Sequence, residues 1–175
     1  IMEHWALEPE VLKQYAFHYE TGEVIPDVLI TKIQNAAYFD QGFATVEFVA
    51  SAYLDMFYYT RTNKSFSDVN KFQNDVAKEI RLLPEIAFRH GSTHFQHIFS
   101  GGYSAGYYSY LWSGVLDSDA FEAFKENGIF DKATAESFRK NILEAGHSDK
   151  AMNLYKAFRG REPKIEPLLK TRGLI

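Results

Sequence analysis

The chain has no cysteine, which excludes disulfides, zinc–thiolate sites and thiol nucleophiles and fits a reducing or an oxidising compartment equally. No apolar run reaches about 18 residues without a charge, so no membrane-spanning helix is predicted, and nothing resembles a signal peptide. Positive charge is not in excess: 19 Lys+Arg stand against 23 Asp+Glu, a formal net charge of −4. A nucleic-acid surface would therefore need a local basic patch, and no basic stripe of useful length exists. Alternating strand patterns, internal repeats and an H-E-x-x-H helix are all missing. Position 1 is Ile and not Met, so a piece of a longer protein is expected.

What is present reads as helix. At 175 residues with 46% hydrophobic and 24% charged residues, the chain is expected to form one domain burying about 70% of its unfolded surface. Pro9 opens a helix carrying Val11, Leu12, Tyr15, Ala16 and Tyr19 as far as Gly22. Pro26 opens the next, with Leu29, Ile30, Ile33, Ala36 and Ala37 on its apolar face. Residues Phe43–Tyr59 form a helix apolar nearly all round, a pattern that calls for a central place or a further partner. Ser67 or Asp68 caps a polar amphipathic helix to about Leu82. Leu83–Gly102, punctuated by Pro84, Gly91, Gly101 and Gly102, is expected to be irregular, and long irregular segments often carry function. A long helix from about Ser104 to Asn127 stops at Gly128. Asp131 caps a helix through Ala145 with Phe138, Ile142 and Leu143 on its apolar side. Ser148 starts another with Met152, Leu154, Tyr155 and Phe158, and a short helix closes the chain at Glu166–Thr171. The fold class is all-α.

Three constellations carry candidate chemistry. The run Phe95–Trp112, FQHIFSGGYSAGYYSYLW, combines His97, the Gly101-Gly102 pair and Tyr103, Tyr107, Tyr108 and Tyr110. Tyr103, Tyr107 and Tyr110 fall at i, i+4 and i+7, so on a helix their hydroxyls share a face. Phenols beside an imidazole supply hydrogen-bond donors at neutral pH, which suits an anionic transition state. No acid, thiol or activated serine accompanies them, so the bond-breaking group is expected elsewhere. Aromatic residues at helical spacing more often form core. Tyrosine in place of phenylalanine, and a glycine hinge beside it, favour a site. Residue pattern alone leaves both readings standing.

The second constellation, His90, His94 and His97, has zinc-ligand spacing. Gly91 and Ser92-Thr93 argue against a regular helix, and loop histidines without metal are the expectation. The third, Phe158-Arg-Gly-Arg-Glu-Pro163, has two arginines that could hold an anion. Ion pairs tying down a C-terminal turn are the expected role.

The run from His97 to Trp112 resembles the C-terminal signature of the thimet-oligopeptidase-like zinc metallopeptidases, the group of oligopeptidase A and the bacterial peptidyl-dipeptidases. Met2-Glu-His-Trp-Ala6, Gly128-Ile-Phe130 and Phe158-Arg-Gly-Arg-Glu-Pro163 extend the resemblance over nearly the whole chain. The opening MEHWALEPEVL and the SAYLDM segment look nearer the peptidyl-dipeptidase branch.

The resemblance implies the C-terminal portion of a zincin-type catalytic domain, one helical fragment over residues 1–175, beginning just after the zinc-ligand segment. The implied cofactor is zinc in the full-length parent, with its ligands and general base upstream of Ile1 and no metal site in this chain. The matching positions imply that His97 approaches the bound peptide near the scissile bond. They imply that Tyr103 and Tyr110 position substrate and stabilise the tetrahedral oxyanion, that Tyr107 contacts substrate, and that Gly101 and Gly102 form a mobile loop. His90 and His94 receive no role. Short peptides are the implied substrates, with neither nucleic acid nor membrane as partner. The fragment alone should be inactive and self-associating, and the compartment should be the bacterial cytoplasm, with the periplasm second. The alternative is a stand-alone helical module that holds peptides without cutting them.

Overall fold

The computed structural model describes residues 1–62 and 68–175. The elements are α1 (Glu3–Ala6), α2 (Pro9–Tyr15), α3 (Asp27–Ala36), α4 (Gln41–Tyr59), α5 (Val69–Glu79), α6 (Gln96–Phe99), α7 (Ser109–Asn127), α8 (Lys132–Phe138), α9 (Ala151–Arg159) and α10 (Glu166–Thr171). Among the described residues no strand forms; one isolated bridge pairs Phe17 with Val24. The protein is all-α. No helix among the described residues is long and apolar enough to cross a membrane.

The chain divides into two compact units, Ile1–Phe39 with Gly114–Ile175, and Asp40–Ser113. In the first, Phe121, Phe124, Ile129 and Phe138 form the core, with Trp5, Val11 and Phe158 packed on it. Trp5 sets its ring edge against Phe121 and Phe124, both at 4.6 Å, and donates its indole N–H to the Ile129 carbonyl at 2.8 Å. In the second, Leu54, Val76, Phe95, Ile98 and Tyr107 form the core, so α4 and α5 pack around the irregular segment.

Several boundaries follow the sequence reading. Asp68 caps α5 by accepting the Asn70 and Lys71 amides, and Asp131 caps α8 by accepting Thr134. Ser67, the other candidate cap, lies outside the described residues. Four expectations are corrected. The helix opened by Pro9 ends at Tyr15, because Ala16 turns extended and the backbone bends back at the Phe17–Val24 bridge, leaving Tyr19 exposed. The helix expected from Ser104 begins at Ser109, because Ala105 adopts φ +54°. After Phe138 the helix widens to a π-turn over Arg139–Glu144, which throws Leu143 off the apolar side into solvent. The next helix starts at Ala151 and not at Ser148.

The arginine-rich turn takes the structural role expected of it. Arg161 grips the fully buried Asp119 carboxylate with two N–H···O bonds of 2.7 and 2.9 Å, and Tyr155 donates its hydroxyl to the same group at 2.6 Å. Arg159 donates to the Asp119 carbonyl at 3.1 Å and forks onto Glu126 at 2.5 and 2.8 Å. Burial alone would raise the Asp119 carboxyl; the Arg161 and Tyr155 hydrogen bonds outweigh it and hold it below the usual range. A depressed native value means that this stabilisation is full above the unfolded carboxyl value of about 4 and fades as pH falls through the native one. Asp119→Asn should therefore lose about 3 kcal/mol at pH 7. The gap to the parent protein should narrow below about pH 4. Urea midpoints at neutral and acid pH check this, and an equal loss at both would contradict the ionised pair.

Candidate active-site wall

The tyrosine segment is anchored from α4. Asp55 sits among Ala50, Ser51, Ala52 and Leu54 on the buried face of that helix and is itself fully buried. Its two oxygens accept the backbone N–H groups of Ala105 and Tyr107, both at 2.9 Å. The left-handed φ of +54° at Ala105 is unfavourable for a residue with a Cβ by about 1–2 kcal/mol. Hydrogen bonds to a charged acceptor, at about 1.5–3 kcal/mol each, offset it. The chain between Tyr103 and Tyr108 is therefore a tight turn and not a helix.

The preceding loop wraps the end of α6. The Gly101 amide donates to the Gln96 carbonyl at 2.9 Å, the Tyr103 amide to the His97 carbonyl at 3.0 Å, and the Ser104 hydroxyl to the Ile98 carbonyl at 2.6 Å. Tyr59 donates its hydroxyl to the same Ile98 carbonyl. A Cβ on Gly101 would lie 2.9 Å from the His97 backbone, and Gly102 has φ +82°. Close approach and left-handed backbone thus account for the pair without any appeal to motion.

This turn gathers the expected residues. The Tyr103 and Tyr110 rings stack at 5.0 Å, and Tyr107 lies 5.2 Å from Tyr110. The His97 ring stands 5.6 Å from Tyr107 and 6.3 Å from both Tyr103 and Tyr110. The shared helical face is corrected: of the three tyrosines, only Tyr110 belongs to α7, and the turn does the rest. The three also differ in depth. Tyr103 and Tyr110 are 36% and 40% exposed, whereas Tyr107 at 3% is a floor, packed on Phe48 at 5.5 Å and Phe95 at 4.9 Å. Tyr107 therefore takes the core reading, and its two neighbours keep their rims open.

The electrostatics move Tyr110 and Tyr107 further above an ordinary phenol value that already lies well over neutral pH. A hydrogen bond with the Tyr103 hydroxyl, then desolvation, raise the Tyr110 phenol above its ordinary value. Burial raises Tyr107, with the Arg89 charge opposing and Glu47 assisting.

Two residues of this wall went unassigned in the sequence. Asp55 is the first, and its signal was a carboxylate set within the apolar run of α4. The second is His90, whose ring lies 4.7 Å from His97 and 5.0 Å from Phe95. The 3₁₀ turn Ser92–His94 brings it back beside His97. His94 instead turns its ring onto the Gly91 amide, which donates to it at 3.3 Å. Among the described residues no group of three or more His, Asp or Glu is set to hold a metal ion.

Comparison with known proteins agrees with the motif. The model of peptidase family M3 matches residues 1–174. The chain is 41% identical over 176 residues to the dipeptidyl carboxypeptidase of Escherichia coli (strain K12), covering 99% of this chain and 26% of that protein. It is 37% identical over 174 residues to the oligopeptidase A of Salmonella typhimurium, with 99% and 26% coverage. Saccharolysin of Saccharomyces cerevisiae is 27% identical over 175 residues, with 99% and 25% coverage. The chain thus spans about a quarter of the length of these relatives.

The anchoring of the turn is testable. Asp55→Ala leaves two buried N–H donors unpaired and should lose about 3 kcal/mol of stability. It should also speed hydrogen exchange at the Ala105 and Tyr107 amides by about tenfold or more relative to α5 amides. Unchanged protection at both amides would show that the turn holds without Asp55.

Proposed function

Because this chain belongs to peptidase family M3, we propose that its His97–tyrosine cluster is the substrate-side wall of an active site that hydrolyses short peptides. The observation that carries this reading is the arrangement of Tyr103 and Tyr110, two stacked, open-rimmed phenols with His97 beside both. As a peptide carbonyl goes tetrahedral, its oxygen gathers negative charge and seeks donors already in place. A phenol provides one without carrying a charge that would have to be desolvated. Tyr110 is the principal donor, and as a phenol it is protonated at neutral pH. Tyr103 orients it and adds a second hydroxyl toward the peptide. His97 faces the scissile bond from the end of α6. Tyr107 supports both from beneath, and the Gly101-Gly102 turn brings the peptide backbone close.

The zinc ligands and the catalytic base are proposed to lie outside residues 1–175. The naming of one relative as a dipeptidyl carboxypeptidase and another as oligopeptidase A supports short peptides as substrates. Release of dipeptides is favoured, since the opening segment and SAYLDM look nearer that branch. The bacterial relatives support a bacterial cytoplasmic enzyme, with the periplasm as second compartment. For the 175-residue chain by itself we propose no peptidase activity. We also propose self-association through the exposed Phe43, Val46 and Tyr53 of α4.

In the complete enzyme, Tyr110→Phe should lower kcat about 10²–10³-fold with little change in KM, since the hydroxyl acts on the transition state. Steady-state kinetics on a short peptide check this. A near-normal kcat would remove the oxyanion role, and binding without cleavage would return the cluster to a peptide-holding module.

A further inference from the structure

His90 has no task in the wall just described, yet it stands directly behind it. Its partly buried ring stacks on Phe95 at 5.0 Å and 23° between planes, and Phe95 is fully buried. It tilts against His97 at 4.7 Å and meets the edge of Tyr107 at 5.9 Å. Aromatic packing of this kind needs no imidazole; a phenyl ring would serve. What an imidazole adds is a proton that comes and goes near neutral pH.

The charges around His90 disfavour that proton. Arg89 precedes it, and His94 and His97 follow on the same segment; the acid acting on it is Glu47 of α4, and Tyr107 beside it is a neutral phenol. Burial first, then the charges of His97, Arg89 and His94, hold His90 below the usual imidazole value, and Glu47 opposes them least. His90 is therefore neutral at neutral pH, and acid must charge it next to a second imidazole.

The geometry points to His90 as a positioning residue for His97: uncharged, it backs the His97 ring against the tyrosine row, and protonated, it repels that ring and loosens the hold on a peptide. Acid pH then raises KM ahead of any fall in kcat. The assignment rests on the peptide-hydrolysing reading of the site.

Three variants of the complete enzyme test it: His90→Phe, which keeps the stack but cannot take a proton, His90→Lys, which carries a fixed charge, and Tyr110→Phe as reference. Two readouts are followed from about pH 5 to pH 8, KM and kcat for tetra-alanine and the ring carbon shifts of isotopically labelled histidines. In His90→Phe the acid-side rise of KM should move down by about one pH unit, and the ring carbon shifts of His97 at acid pH should differ from the parent's. In His90→Lys, KM should be raised about tenfold across the range with kcat much less affected. His97 ring shifts identical in the parent and in His90→Phe across the range, or a KM profile unmoved by both His90 variants, would overturn the assignment. If the His97 ring shifts respond but Tyr110→Phe retains full kcat, the catalytic reading of the wall fails and the assignment falls with it. If Tyr110→Phe is impaired and His97 does not respond, the assignment alone falls.

Discussion

The whole tyrosine wall depends on one carboxylate. Asp55 is buried in the middle of α4, where an unpaired charge would be prohibitive, and both its oxygens are taken up by backbone amides of the turn that follows Tyr103. The arrangement is reciprocal. The turn satisfies the buried carboxylate, and the carboxylate's two hydrogen bonds offset the left-handed backbone at Ala105. Tyr107 is thereby driven into the core, and the stacked Tyr103 and Tyr110 are left at its rim. A site built this way owes its geometry to a helix about 50 residues away in sequence (Asp55 to Ala105), which is a rigid support for side chains that sit on a loop.

The other unit uses the same device with different partners. Asp119 is as deeply buried as Asp55, but it is answered by a guanidinium and a phenol, which hold its carboxyl below the usual carboxylate range. Arg159 adds a bond to the main chain of the same residue. In each unit a single aspartate inside a helix ties down a turn, the one after Tyr103 in one case and the one after α9 that carries Arg161 in the other.

The elements legible in the sequence were those set by local chemistry. Asp68 and Asp131 cap α5 and α8 through their own side chains, Pro9 starts α2, and the stop at Gly128 needed nothing beyond the chain nearby. The tyrosine motif was legible as a group because its members are close in sequence, but its form was not. Spacing of i, i+4 and i+7 predicts one helical face, and a remote carboxylate made a turn of it instead. Tyr19 was misplaced by the same kind of tertiary override, since a short backbone bridge ended α2 early. Leu143 failed for a local reason, because a π-turn changes the period on which every face assignment rests. His90 was obscured by Gly91, which argued rightly against a helix and said nothing about the 3₁₀ turn that brings the ring back to His97.

Ala105 carries a consequence for how this segment can vary. Its left-handed backbone admits glycine with relief of strain and asparagine with tolerance, and it resists valine, isoleucine and threonine, whose branched Cβ atoms crowd that conformation. The handedness of one peptide unit thus acts as a filter on mutational drift at a position whose own methyl group takes no part in the proposed chemistry. Drift toward glycine would ease the fold and make the turn more pliant in the unfolded and native states alike. Alanine here is a compromise between a relaxed backbone and a stiff one.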